Sequence, residues 1–250
     1  MIHCSQYQPM STRILFPATL LLLAVGATTA QGGVLFSTGF ETESLGNLPG
    51  QDGWSVSIGT AAGFQVQSSF VNTGTQALQL NPAGQTNGVA IRRSVPGSGQ
   101  TQVYLSSDFF VALNGNPTQF RMFLDDNSGN PFAQYLIQGN GLTGLFDNQG
   151  TTISGPQLSL GTWNNIRLQV DFSARTLDGY LNGVGIGTVP LLPNVGTSVG
   201  RVGFLMFPGT TGTRLAFADN VEFGSIPEPS SMALVAAGLA AVGLRLRRKR

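Results

Sequence analysis

From Val34 to Ile226 the chain is cut at strand-length intervals by turn-forming residues, and this punctuation constrains the fold more than any other feature. Asn47-Leu48-Pro49-Gly50, Asn81-Pro82-Ala83-Gly84, Pro96-Gly97-Ser98-Gly99, Asn114-Gly115-Asn116-Pro117, Asp125 to Asn130, Asp147-Asn148-Gln149-Gly150 and Pro208-Gly209 all break regular structure. Between them no apolar pattern runs long enough for a helix, whereas period-two alternation recurs. Asn165 to Phe172 is the clearest case: Ile166, Leu168, Val170 and Phe172 point one way, and Asn165, Arg167, Gln169 and Asp171 the other. Phe120, Met122 and Leu124 alternate with Gln119 and Arg121, and Phe64 and Val66 with Gln65 and Gln67. About a dozen such strands are expected, too many for an immunoglobulin-like domain of about 100 residues. The fold class is therefore all-β, a two-sheet antiparallel jelly-roll sandwich, with a smaller open sandwich as the alternative.

The single cysteine, Cys4, and the single histidine, His3, both precede this region. Ser-His-Asp and Cys-His nucleophile systems, His or Cys zinc sites, haem ligation and internal disulfides are thereby excluded from it, and no cofactor or metal is expected. The 16 phenylalanines offer a bulky core instead, each large side chain worth roughly 1.5 to 3 kcal/mol when buried. Between Val34 and Ile226 seven arginines and no lysine stand against eleven carboxylates. Nucleic acid is not an expected partner, because phosphate neutralisation needs clustered cations.

The two ends carry apolar runs of a different kind. Arg13 precedes Ile14 to Val25, and Gly26-Ala27-Thr28-Thr29-Ala30 follows, the layout of a secretory signal peptide over residues 1–30 with a start at Met1 or Met10. The run is about 18 Å long as a helix, short of the roughly 30 Å hydrocarbon core, so cleavage is expected, after Ala30 or alternatively Ala27. The β domain is assigned to residues 31–225. In residues 226–250, Ile226-Pro227-Glu228-Pro229-Ser230-Ser231 leads into an apolar segment over 232–244 and then into Arg245-Leu246-Arg247-Arg248-Lys249-Arg250. That segment reads as a short transmembrane helix with its arginines on the cytoplasmic side.

Pro-Glu-Pro, a short apolar helix and a C-terminal arginine cluster together resemble the PEP-CTERM sorting domain of exopolysaccharide-producing Gram-negative bacteria. The resemblance implies recognition at Pro227, Glu228 and Pro229 by an exosortase-type processing enzyme, with Arg245, Arg247, Arg248, Lys249 and Arg250 setting topology. It implies passage through the secretion translocon, a transient inner-membrane intermediate, and delivery to the cell surface or beyond. Gly161-Thr162-Trp163, the alternating strand through Asp171, Leu177 to Tyr180 and Leu181-Asn182-Gly183 resemble concanavalin A-like lectin/glucanase domains. Gly39-Phe40-Glu41 with Gly46 and Gly53-Trp54, and the closing Ala218-Asp219-Asn220-Val221, resemble the first and last strands of that group. Lectins, glycosidases, lyases and adhesion modules share the fold, so it does not fix an activity.

Arg121, Tyr135, Arg167, Gln169 and Asp171 form the candidate glycan face, since sugar recognition needs planar hydrogen-bonders beside an apolar ring. Exopolysaccharide is the expected ligand, a ligand-free structural coat the alternative, and catalysis is not expected. The rival is a carboxylate-based, glycosidase-like enzyme using Glu41, Glu43 or another acid, and Glu41 and Glu43 share a face about 6.8 Å apart if Phe40 to Ser44 is extended. Their pattern lacks the third acid usual in jelly-roll glucanases. Asp125-Asp126-Asn127-Ser128-Gly129 suits a hairpin turn better than a calcium loop. Gly139 to Gly144 matches the dinucleotide fingerprint formally, but no helix follows to hold a pyrophosphate. Trp54 and Trp163 are expected in the core or at strand starts.

Overall fold

A computed structural model describes residues 32–82, 84, 87–97, 99–113, 119–146, 152–208 and 215–227. The signal segment with Ala30, the apolar segment 232–244, and Glu228, Pro229, Arg245, Arg247, Arg248, Lys249 and Arg250 lie outside the described residues.

Sixteen strands are found among them: β1 (Val34–Thr38), β2 (Gly46–Asn47), β3 (Trp54–Ile58), β4 (Phe64–Gln67), β5 (Ala77–Leu80), β6 (Val89–Gly97), β7 (Gln102–Val111), β8 (Gln119–Asp125), β9 (Pro131–Gln138), β10 (Leu142–Phe146), β11 (Thr152–Gln157), β12 (Trp163–Asp171), β13 (Thr176–Leu181), β14 (Val184–Pro190), β15 (Val199–Phe207) and β16 (Ala216–Ser225). The only helical turn described is Ala61–Gly63. The count exceeds the expected dozen because pieces as short as the two-residue β2 are too short to show a period in the sequence.

These strands form two antiparallel sheets. One has nine strands in the order β14-β13-β12-β7-β16-β5-β4-β2, with β1 also on β16. The other has seven, ordered β11-β10-β9-β8-β15-β6-β3. The first strand lies against the last, Thr38 opposite Val221 and Phe36 opposite Phe223, which closes the domain at both ends of its sequence. The neighbours β7, β12 and β16 come from distant parts of the chain, as jelly-roll winding requires.

Alternation decides which side of each strand is buried. On β7, Val103, Leu105, Phe109 and Val111 enter the core while Tyr104, Ser106, Asp108 and Phe110 face outward. On β12, Ile166, Leu168 and Val170 enter and Arg167, Gln169 and Asp171 do not, as the periodicity predicts. Trp54 is 1% exposed and packs between the rings of Phe36, Phe40 and Phe204, tying β1 and β3 to β15. A continuous apolar layer joins the two sheets, so the domain holds together without a disulfide.

Phe40 to Ser44 is not extended. Phe40 takes a left-handed conformation, φ 63°, and Glu41 and Thr42 form a turn. The turn lets the Phe40 ring sink fully into the core while Glu41 stays exposed. The shared-face premise for Glu41 and Glu43 therefore fails.

Candidate functional site

The five residues of the expected glycan face do not converge. Arg167, Gln169 and Asp171 stand together on the outer face of the nine-stranded sheet. Arg121 lies on the outer face of the opposite sheet. Tyr135 points into the core with no exposure, opposite Met122 and Leu145. Its hydroxyl makes no hydrogen bond of standard geometry although Thr143 lies beside it, and burial pushes its pKa up to about 12. Tyr135 is thus a core residue. Two polar residues, Gln134 and Gln138, flank it in sequence and made the strand look more solvated than it is.

Around Arg167 the strand registers assemble a continuous surface. Arg167 stands between Tyr180 on β13 and Ser106 on β7, and Ser106 is in turn opposite Glu222 on β16. One row along, Gln169 stands between Asp178 and Tyr104. The Tyr104 ring lies down across Gly224, where a Cβ would come within 2.7 Å of ring carbons. From above, the guanidinium carbon of Arg167 sits 4.1 Å from the ring centroid. The Tyr104 hydroxyl donates to Glu222 Oε1. Its pKa is pushed up to about 12, first by burial and then by that carboxylate.

Arg167 keeps its donors. Its Nε is buried without a partner, and no described residue accepts a hydrogen bond from the remainder of the guanidinium. A flat cation fixed on a ring with unused N–H groups is ready to meet a polar ligand. Asp171, by contrast, is occupied: it accepts from Gln102 Nε2 at 2.6 Å and from the Ala174 N–H at 2.7 Å, which shapes the β12–β13 turn.

The end of this face carries an aromatic cluster. Phe70, from the β4–β5 loop, stacks on Trp163 at 5.8 Å between centroids and packs on Phe110 and Phe217 at 4.4 and 4.8 Å. Phe70 is 37% exposed. Trp163 accordingly starts its strand on the outer face and not in the core. Between the rings and Arg167, Asp108 accepts from Asn72, Asn220 and Asn165 at 2.8, 2.8 and 2.9 Å. Asp219, fully buried and with a pKa raised chiefly by that burial, accepts from the Asn72 and Thr73 N–H groups at 3.1 Å each. These carboxylates strap the Phe70 loop onto the sheet.

Glu41 completes the strap. Its carboxylate accepts from the Thr75 hydroxyl at 2.6 Å and the N–H groups of Thr75 and Gln76 at 2.9 and 3.1 Å, which hold its pKa below the usual carboxylate range. Glu43, 5% exposed, accepts from Thr38 and Thr42. Glu41 borders an open cavity of about 520 Å³ beside β1 that Glu222, Asp52 and Arg93 also line. There Arg93 is bound to Asp52 and stacked on Phe36, 3.8 Å from its centroid.

On the seven-stranded sheet Arg121 is engaged through its two terminal nitrogens, while its Nε, like that of Arg167, is buried without a partner. Its guanidinium lies 4.8 Å from the Phe146 centroid and 5.1 Å from that of Phe207, and it donates to Gln134 and Gln119 at 2.8 and 3.2 Å. Nearby, Asp125, with no exposure, faces Arg92 at 2.8 Å as an ion pair without aligned hydrogen-bond geometry. Asp126 accepts from the Ser128 and Asn130 N–H groups, so Asp125 to Asn130 is the expected hairpin turn. Among the described residues no cluster of His, Cys, Asp or Glu suits a metal ion. Gly139 to Gly144 is the β9–β10 turn running into a strand.

Tyr104, Glu222, Asp108 and Phe70 were missed by sequence reasoning. Only the alternation of Gln102, Tyr104, Ser106 and Asp108 signalled an outer face, and nothing local paired it with β12 or β16.

Residues 225–249 match the family model of the PEP-CTERM protein-sorting motif. The chain carries a sorting motif of that family. The motif implies export, a membrane-anchored intermediate and processing by an exosortase. No curated protein matches this chain in sequence. Among solved structures, the domain is similar to the cellulose-induced protein Cip1, with a TM-score of 0.53, 16% identity, and 75% of this chain and 96% of that one covered. An endo-beta-1,4-glucuronan lyase from the fungus Trichoderma reesei gives a TM-score of 0.51 at 13% identity, covering 78% and 96%. A sialidase gives 0.55 at 12% identity, and the alignment covers 69% of this chain but only 17% of the sialidase. These likenesses establish a jelly-roll fold of the lectin/glucanase type.

Proposed function

We propose that this is an exported, exosortase-sorted, non-catalytic glycan-binding protein of the Gram-negative cell surface, working in the exopolysaccharide matrix through the outer face of its nine-stranded sheet. The observation that carries the reading is the Arg167 guanidinium, fixed over Tyr104 with its donors unspent and flanked by Tyr180, Gln169 and Asp178. Sugars present hydroxyls to planar donors and acceptors and C–H faces to rings, and this face offers both. Fold relatives named for acting on glycans add support. The sorting motif, which implies export and a membrane-anchored intermediate, supports a cell-surface location.

Two observations favour binding over catalysis. Glu41 is saturated by the loop it anchors, and Glu43 is enclosed by two hydroxyls. Both carboxylates are occupied by the protein's own donors, which supports a binding reading over a catalytic one.

The test is retention of purified residues 31–225 on matrix polysaccharide from the producing cells, wild type against Arg167→Ala. Wild-type retention with loss in the variant is expected. Equal retention of the two proteins, or none by either, rejects the reading.

A further inference from the structure

The charges around Arg167 are unbalanced. Asp108, Asp171, Asp178 and Glu222 all lie on the outer face of β7, β12, β13 and β16, against Arg167 as that face's one cation among the described residues. Arg175, at the β12–β13 turn, is turned away to the carbonyls of Leu192 and Val195. Each of the four carboxylates is met by neutral donors only: Asp108 by three asparagines, Asp171 by Gln102 and Ala174, Asp178 by Thr188, and Glu222 by Tyr104. Hydrogen bonds from neutral groups stabilise a carboxylate without cancelling its charge.

The spare acceptor capacity is uneven. Asp108 and Asp171 spend three and two hydrogen bonds on the protein. Asp178 and Glu222 spend one each, and a carboxylate has room for about four. These two stand on opposite sides of the Arg167–Tyr104 pair: Asp178 on β13, one strand from Gln169, and Glu222 on β16, one strand from Ser106. A ligand lying across the strands over Arg167 meets an unsatisfied carboxylate at each end.

Resting on the glycan-binding reading, we propose that this face selects amine-bearing glycans, hexosamine chains with free protonated amines, and turns away uronate or sulfate polymers. Ammonium groups find acceptors at Asp178 and Glu222, while the ring stack and Arg167 serve the sugar hydroxyls. Polyanions meet four carboxylates before one guanidinium, which disfavours them by repulsion at short range.

Calorimetric titration of residues 31–225 with glucosamine oligomers, their fully N-acetylated counterparts and glucuronate oligomers tests this at mildly acidic pH, where the free amines are protonated. Glucosamine oligomers should bind tightest, and their affinity should fall as salt rises. Asp178→Asn and Glu222→Gln should each weaken them by about tenfold. Gln138→Lys, on the other sheet, makes the same change in net charge and should leave affinity unchanged, which separates a local site from diffuse attraction. Tighter binding of glucuronate oligomers that Arg167→Ala abolishes overturns the amine preference and keeps the glycan face. Equal weakening by Gln138→Lys overturns the local site. Failure of every oligomer to bind rejects the glycan reading itself, and the selectivity with it.

Discussion

The guanidinium carbon of Arg167 lies 4.1 Å from the centroid of the Tyr104 ring, and that ring rests on Gly224. Three strands therefore cooperate to hold one cation flat. A methyl group at position 224 lifts the ring and with it the guanidinium. Gly224→Ala is expected to weaken glycan binding by about tenfold with less effect on folding. Arg167→Lys is expected to bind as poorly as Arg167→Ala, because an ammonium has no planar fork to lay on the ring. Binding isotherms of the three variants, with thermal melts as the folding control, check this.

Asp125 makes stability depend on pH in a specific direction. Burial raises its pKa from 3.8 to about 6, against the opposing pull of Arg92 and Arg201. Between those values the folded state holds a proton that the unfolded state releases. The contribution is complete below the unfolded value and is lost as pH rises through about 6. The loss amounts to about 3 kcal/mol at most. Asp125→Asn should flatten this part of the pH–stability curve, read by urea unfolding at a series of pH values. A curve of unchanged slope removes Asp125 as its source.

Gly74 is fixed by conformation and by space. Its φ is +67°, and a Cβ would lie 2.2 Å from Glu41 Oε1. Gly74→Ala should cost about 1 kcal/mol or more and break the strap that carries Phe70. Glu41→Gln should loosen the same loop. Because the pKa of Glu41 is lowered, its stabilisation is present above the unfolded value and fades as pH falls through the folded one. Limited proteolysis at residues 68–76 reads both variants, and faster cleavage than wild type is expected.

Glu228→Ala should block exosortase processing and leave the protein in the membrane fraction at unprocessed size. Immunoblots of cell fractions show whether it does.

The fold was legible because alternation and turn residues act over a few positions. The β12 pattern of Ile166, Leu168 and Val170 against Arg167 and Gln169 is reproduced residue by residue. The site was legible only along single strands. Arg167 and Gln169 were found because they share β12, but Tyr104 and Glu222 meet across 118 positions of sequence, and Asn72 reaches Asp219 across 147. Such pairs are set by winding order, which local patterning does not carry. Arg121 went to the opposite sheet for the same reason. Tyr135 misled because β9 is buried on both sides, with Gln134 only 3% exposed, so alternation there does not mark solvent. Glu41 and Glu43 misled because Phe40 adopts a left-handed conformation that an extended reading does not anticipate.

The most direct test is hydrogen–deuterium exchange of the β domain with and without matrix polysaccharide. Slowed exchange confined to β7, β12, β13 and β16, the strands that carry Tyr104, Arg167, Asp178 and Glu222, is the expected result. Slowed exchange confined to β8, β9 and β15, or no change on any strand, contradicts a glycan-binding role for the Arg167 face.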